Sequence, residues 1–543
     1  MEIRERIKSK IWLIAALIVF CGVFFLFGHY KAYLYEDEVL SYTAANSEEG
    51  MRPSVPVNSC VSGREFVLKA VAVQDNERFD FGNAVKNTSK DPHPPLYPVL
   101  LHFISSLFPG IFSKWFALVI NLLSGTAVIV LLYTAAYLSY PRGDGKNEDK
   151  KEKICFAGAV TLIYILSLGA VEQFMNLRMY VLLQVFTTAL TLQYLLLFER
   201  LEKKEKFIDK GQALLFILNI LFGTLTHYYF LIFAFYEAAF ISILLLWKKL
   251  FREFFIHASL YLVSGLMVII IFPKIIWQIT ATDVGSESRI IRTLPELIGR
   301  GRVMFFNLNE ALFGGEAKLI ILILLVFAVL VFIKSSGSSG ERAAAVISSV
   351  RQYTEEKHAF FIFTGLFYFL TVSLTTPYLT ARYLSGAYHI YILITVWMLL
   401  PLLRRLFRSE KAGLLILVLI MAVPLYLKVE AGLFDVNKAA MGSLSKEHHN
   451  DICVFFRGIS AEENYFELMN YERLMAMRLR PEEGEEPGET ALIGNEKEIV
   501  IYVPEGKDPE EYFLRIREIN PELKTAERLY KAYYSDAYIM RTR

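Results

Sequence analysis

Cysteine is scarce in this chain, with four in 543 residues, too few for a fold held together by disulfides. Cys21 and Cys155 sit in or beside apolar runs and read as packing residues. Cys60 and Cys453 lie outside those runs, and sequence alone does not bring them together. Glycine-rich phosphate cradles are missing too. Neither G-x-G-x-x-G nor G-x-x-x-x-G-K-[ST] occurs, so no site for a nucleotide is expected. Nor is there an excess of one charge. Lys and Arg number 57 against 55 Asp and Glu, a net charge of +2, which makes no electrostatic case for a nucleic-acid partner.

Apolar residues are abundant instead. They make up 54% of the chain, and the mean hydropathy is +0.39, far above ordinary soluble usage. They fall in discrete blocks, most of them bounded by basic loops. Candidate spans cover 11–28, 115–138, 154–170, 179–198, 212–226, 228–247, 257–273, 317–333, 359–375, 386–403 and 412–428. Each is near the bilayer-spanning length, giving about 11 transmembrane helices. The first has a basic start (Arg4, Arg6, Lys8, Lys10) that suits a secretory signal or an anchor. Its length, with no A-x-A site after it, favours an uncleaved anchor.

Basic residues cluster at the N-terminus and in 142–153, 200–210, 248–252, 334–357 and 404–411. With alternating spans these segments share one side, which the positive-inside rule makes cytoplasmic. The long 273–318 loop places several Arg on the other face, but long loops weigh little under that rule. The expected topology is a multi-pass cell-membrane protein with a cytoplasmic N-terminus. The outside then receives 29–114, the turns near 172–178, 226–229 and 375–382, and everything after 428. Two domains follow: 1–428, transmembrane, carrying the acidic loop 29–114, and 429–543, extracytoplasmic.

The unusual residues lie on that outer side. Glu36-Asp37-Glu38 follows the first span directly, where ionisable groups need a task or a watery cavity; a plain solvated loop start is the alternative. In Asp91-Pro92-His93-Pro94-Pro95-Leu96-Tyr97 the prolines stiffen a helix entry and aim His93 and Tyr97. Arg178, at the outer start of the fourth span, can snorkel to lipid headgroups or point its planar fork at a phosphate. His227 and Tyr228, and Arg382 with Tyr383, recur at other outer span ends and also suit an interfacial belt. Their convergence on one face suits a particular chemistry. Arginines can hold the phosphate of a membrane lipid and stabilise it as it leaves. A carboxylate can take the proton of an attacking hydroxyl.

The blocks YEDEVLSYTAANS, DPHPPLYPVLLHFISSLFPG, MNLRMYVLLQVF, GTLTHYYFLIF and ARYLSGAYHIYI resemble, in order and sidedness, those of the GT-C membrane glycosyltransferases. The nearest branch is the bacterial one related to protein O-mannosyltransferases and lipid A aminoarabinose transferases. The resemblance covers roughly residues 10–400. It implies a sugar moved with inversion from a polyprenyl-phosphate donor to a glycan, lipid or protein acceptor. By position it makes Asp37 the catalytic base, with Glu38 as its acidic neighbour. It puts His93 and Tyr97 on the loop over the site and Arg178 and Arg382 near the donor phosphate. It places His227, Tyr228 and Tyr383 in supporting blocks. Glu36 departs from the plain D-E pair. It leaves a divalent cation such as Mg²⁺ or Mn²⁺ open beside the favoured metal-free reading.

After residue 428 the pattern changes to a small α/β domain. Segments 451–456 and 498–503 read as buried strands, 461–478 and 508–519 as helices, and 526–540 as strand-like. Asn87-Thr88-Ser89 fits a glycosylation sequon. Two other functions compete with the glycosyltransferase. A lipid-linked-sugar flippase should show repeats and broken helices at the midplane, and neither is evident. A non-catalytic envelope-assembly protein would have little use for both Asp37 and His93.

Overall fold

The computed structural model describes residues 2–31, 34–57, 59–89, 91, 93–141, 150–280, 293–315, 355–407, 409–428, 436–456, 464–480, 492–532 and 535–543. The predicted span 317–333 lies outside them. The protein is a helical polytopic membrane protein with a small carboxy-terminal sheet, and it divides into two compact units.

The first unit takes in residues 1–30, 91–97 and 118–432. Its helices are α1 (Glu2–Tyr30) and then, after four short helices of the other unit and its borders, α6 (Lys114–Ser139). Next come α7 (Lys150–Leu166), α8 (Leu168–Met175), α9 (Tyr180–Lys203), α10 (Lys210–Thr226) and α11 (Tyr229–Trp247). The rest are α12 (Phe251–Ile271), α13 (Lys274–Thr280), α14 (Leu294–Phe313), α15 (Glu356–Thr375), α16 (Tyr388–Leu406) and α17 (Glu410–Lys428).

Every predicted span among the described residues coincides with a helix. Seven of these are long and apolar enough to cross a bilayer, and an eighth results if α7 and α8 are counted as one bent span. Apolar side chains such as Ile18, Trp247 and Ile270 are 66%, 82% and 77% exposed, an arrangement that water would oppose and lipid favours. The 154–170 span is broken rather than straight. It bends by 60° at Ser167, whose hydroxyl accepts from Ala170 N and restarts the helix.

The second unit joins residues 31–90 and 98–117 to 433–543. Here α2 (Glu36–Asn46), α3 (Gly63–Val71), α4 (Phe81–Thr88) and the body of α5 (Leu96–Ser106) build the long first loop. The carboxy-terminal part holds α18 (Val436–Glu447), β1 (Ile452–Phe456), α19 (Tyr465–Leu468), β2 (Arg473–Met477) and β3 (Glu498–Pro504). It ends with α20 (Pro509–Ile519), β4 (Thr525–Ala532) and β5 (Ser535–Arg541). Strand order is β2-β1-β3-β5-β4. β1 runs parallel to β2 and β3, with Ile452 opposite Arg473 and Ile499, and β5 runs antiparallel to β3 and β4.

Strands buried on both faces read as unbroken apolar runs, which is why ICVFF and EIVIYV are legible. Alternate residues Ile452, Val454, Phe456, Ile499, Ile501 and Val503 meet Tyr512, Phe513 and Ile516 of α20 in one core. The predicted helix over 461–478 is instead the single turn α19 followed by β2. RLMAM is apolar throughout, so only its pairing with β1 decides it. The first loop packs on this sheet. Val61 N donates to Leu474 O at 2.9 Å, and Leu474 N returns the bond at 2.7 Å. Asn87 is buried and its amide donates to Ser47 O at 2.8 Å, so the sequon nitrogen is already engaged. Cys60 and Cys453 are free thiols.

Candidate active site

The acidic run opens α2. Carboxylates are favoured in a helix's first turn because the unpaired amides there carry partial positive charge, and the three acids take separate partners. Glu38 is 1% exposed. One of its oxygens accepts from Tyr35 N at 2.9 Å, capping the helix start, and its carboxylate pairs with the equally buried Lys31 Nζ at 3.0 Å. Glu36 pairs with Arg52 at 3.1 Å on the exposed side. Asp37, half-buried, stands between them. Its backbone carbonyl accepts from the Ser41 hydroxyl at 3.2 Å. Asp37 and Glu38 belong to the second unit; the other seven predicted residues belong to the first.

In the first unit, helix ends and breaks bring the predicted residues together. Asp91 accepts twice from His93, from its backbone N at 3.2 Å and from its ring Nδ1 at 2.6 Å, the local turn that an Asp two residues ahead supports. The ring's other nitrogen, Nε2, accepts from Arg178 Nη2 at 3.2 Å. Arginine only donates, so His93 must carry its hydrogen on Nδ1, facing Asp91. Burial by itself raises the Asp91 carboxyl. The hydrogen bonds from His93 and the Arg178 charge outweigh that and hold it below its ordinary 3.8.

Arg178 is held by the α8–α9 break. Asn121 of α6 donates to Phe174 O at 3.0 Å and to Asn176 O at 2.7 Å, and Arg178 N donates to Asn176 O at 2.8 Å. His227 fills the α10–α11 break in an extended conformation. Its Nδ1 accepts from Tyr229 N at 3.0 Å. The hydrogen is therefore on Nε2, which is buried with no hydrogen-bond partner among the described residues. Burial first, and with it the Arg178 and Arg382 charges, push this ring well below its ordinary 6.5, so it offers a neutral N–H donor.

The His227 ring lies 6.1 Å from that of His93 and 5.6 Å from that of Tyr180. Arg382 opens the 3-10 segment Ala381–Ala387. Its guanidinium stacks 5.9 Å from the Tyr180 ring and 5.2 Å from Tyr383, a cation–π arrangement that fixes its plane. The Tyr228 hydroxyl donates to Gln278, whose amide donates to Asp91 O. Tyr97, in the first turn of α5, is 1% exposed.

The arrangement therefore links His93, Arg178, His227, Tyr228, Arg382 and Tyr383 through Asp91, Tyr180 and Gln278. Those last three were not foreseen as site residues. Asp91 was signalled by an acid two residues before a histidine between prolines; Tyr180 and Gln278 gave no signal. Two guanidinium groups, a neutral imidazole N–H and aromatic faces are groups that can receive an anion attached to something apolar or cyclic. A separate pocket lies between α9, α10 and α12, lined by Tyr194, Arg200, Phe216 and His257. It sits at the other end of α9 and holds none of these residues.

No family profile matches the sequence, and no characterised protein matches it by sequence. Solved structures do match in fold. ArnT from Cupriavidus metallidurans bound to undecaprenyl phosphate superposes with a TM-score of 0.50 at 10% identity, over 98% of both chains. The apo state of ArnT gives 0.49 at 11% identity, over 93% of this chain and 96% of that one. The Archaeoglobus fulgidus oligosaccharyltransferase tethered to an acceptor peptide gives 0.37 at 11%, over 94% and 68%. The chain thus shares the fold of the ArnT structure bound to undecaprenyl phosphate along its whole length, in keeping with the resemblance its sequence blocks suggested.

Proposed function

We propose that the protein is a membrane glycosyltransferase that moves a sugar from a polyprenyl-phosphate donor to an acceptor hydroxyl with inversion at the anomeric carbon. The observation that carries this reading is the Asp91–His93–Arg178 chain with His227 and Arg382, a cationic, donor-rich cluster at helix ends of a GT-C fold. In this reading Arg178, Arg382 and the His227 Nε2–H hold the donor's phosphate, and Asp91 with His93 orients Arg178. Tyr97, Tyr228 and Tyr383 shape the surroundings. The tail lies in lipid, as it does for any polyprenyl carrier.

The acceptor oxygen attacks the anomeric carbon from the face opposite the phosphate, and the carbon–oxygen bond to phosphate breaks. The polyprenyl phosphate leaves with the bonding pair, and the acceptor proton passes to the Asp37 carboxylate. Glu38, enclosed by Lys31 and the helix start, positions the turn that presents Asp37. The phosphate charge is assigned to the arginines. The favoured reading is metal-free, with the positive charge supplied by the arginines, and a divalent cation such as Mg²⁺ or Mn²⁺ is the alternative.

The cell membrane is the proposed location, with a cytoplasmic N-terminus and the second unit outside. The test is binding of undecaprenyl phosphate to the purified chain. The parent should bind it and Arg178→Lys should bind it at least tenfold more weakly, because lysine keeps the charge and loses the fork. Equal binding by both would remove Arg178 from the donor site. The flippase reading has no comparable support, since the clustered polar groups lie at helix ends.

A further inference from the structure

The carboxy-terminal sheet carries a second convergence of ligating side chains, remote in sequence from every residue of the candidate active site. α18 ends at Glu447, and His448 N still donates to Leu444 O at 3.3 Å. Asp451 N then donates to His448 O at 3.0 Å, closing a four-residue turn. That turn puts the two side chains on one side, with His448 Nδ1 2.9 Å from Asp451 Oδ2. Asp451 immediately precedes β1. The parallel register sets Ile452 opposite Ile499, so Glu498, one residue earlier on β3, arrives beside Asp451. One ligand atom from each of His448, Asp451 and Glu498 lies within 4.8 Å of the others.

We propose that His448, Asp451 and Glu498 form a binding site for a divalent ion of the zinc class, which ties the turn after α18 to the start of β3. An imidazole with two carboxylates is a mixed nitrogen and oxygen donor set, which suits Zn²⁺ better than the all-oxygen ions Mg²⁺ and Ca²⁺. Tetrahedral ligands at zinc bond lengths stand about 3.4 Å apart. The His448–Asp451 pair is near that spacing, and Glu498 needs a shift of roughly 1–2 Å, within reach of a side-chain rotamer.

The neighbouring cations do not block the site. Arg541 Nε stands 3.3 Å from Oε1 of Glu498, while its Nη1 goes to Glu527 at 3.2 Å. The other Glu498 oxygen is left for the ion, with Arg541 as an outer partner that orients the carboxylate. Arg473 is neutralised by Glu496 through Nη1 at 2.5 Å and Nη2 at 3.1 Å. The His448 and Asp451 side chains are 15% and 22% exposed. An ion can therefore enter from solvent, and the ligands are still shielded enough to bind it more strongly than scattered surface acids do.

The inference is independent of the glycosyltransferase reading. Its test uses the full chain in detergent, stripped with chelator and loaded with ZnCl₂ alone. Zinc retained after gel filtration is measured for the parent, His448→Ala, Glu498→Gln and the control Glu527→Gln. The parent and the control should hold one zinc per chain more than either ligand variant, and each ligand variant should lose at least tenfold in affinity. Chelator should lower the thermal midpoint of the parent and leave that of Glu498→Gln unchanged, which keeps the test meaningful should His448→Ala fold poorly. Zinc content equal in the parent and Glu498→Gln would overturn the site. So would an equal loss in Glu527→Gln, the mark of adventitious binding to surface carboxylates only.

Discussion

Arg178 and Asp91 are one device at the residue scale, and pH separates them from the rest of the site. Asp91's folded-state value lies below its unfolded 3.8. It therefore contributes stability that is fully present above 3.8 and lost as pH falls through the lower folded value. Asp91→Asn should flatten the acid-side loss of thermal stability that the parent shows as pH falls below 3.8; identical acid profiles would detach Asp91 from His93 and Arg178. Glu38 makes the opposite case. It is buried against Lys31, so Glu38→Gln leaves a buried ammonium uncompensated and should cost on the order of 3 kcal/mol in denaturant titration. An unchanged midpoint would show the pair to be dispensable. Asp37→Asn should keep normal stability and donor binding and lose about 10²–10⁴-fold in turnover, the usual worth of a general base.

At the scale of elements, the spans were legible because a transmembrane helix announces itself locally, in about 20 apolar residues. The break at Ser167, the identity of β2 and the partners of the acids were not, because each is settled by residues far away in sequence. Glu36, Asp37 and Glu38 look equivalent in the run EDE, and only Lys31, Arg52 and the helix start tell them apart. His93 and Arg178 were visible singly; their bond joins residues 85 positions apart. Close approach is equally invisible in sequence. A Cβ on Gly63 would stand 2.0 Å from Leu468 O and 2.9 Å from Tyr471 O, where the first loop packs on α19 and β2. Gly63→Ala should destabilise the second unit by about 1–3 kcal/mol, read as increased proteolysis of the first loop. Undiminished resistance would mean that the loop and the sheet do not pack as described.

The whole molecule combines a lipid-embedded helical unit with a second unit in which the first loop and the carboxy-terminal sheet are one body, although more than 300 residues separate them in the chain. Folding that unit therefore requires both segments on the same side of the membrane, which is the topology the basic loops imply. Sugar transfer is the central step proposed for this protein, so the direct measurement is mass spectrometry of envelope glycans from cells carrying the parent chain or Asp37→Asn. The account predicts a sugar-bearing species present with the parent and reduced by at least 100-fold with the variant, at equal protein levels in the membrane. Identical glycan profiles from the two would contradict it.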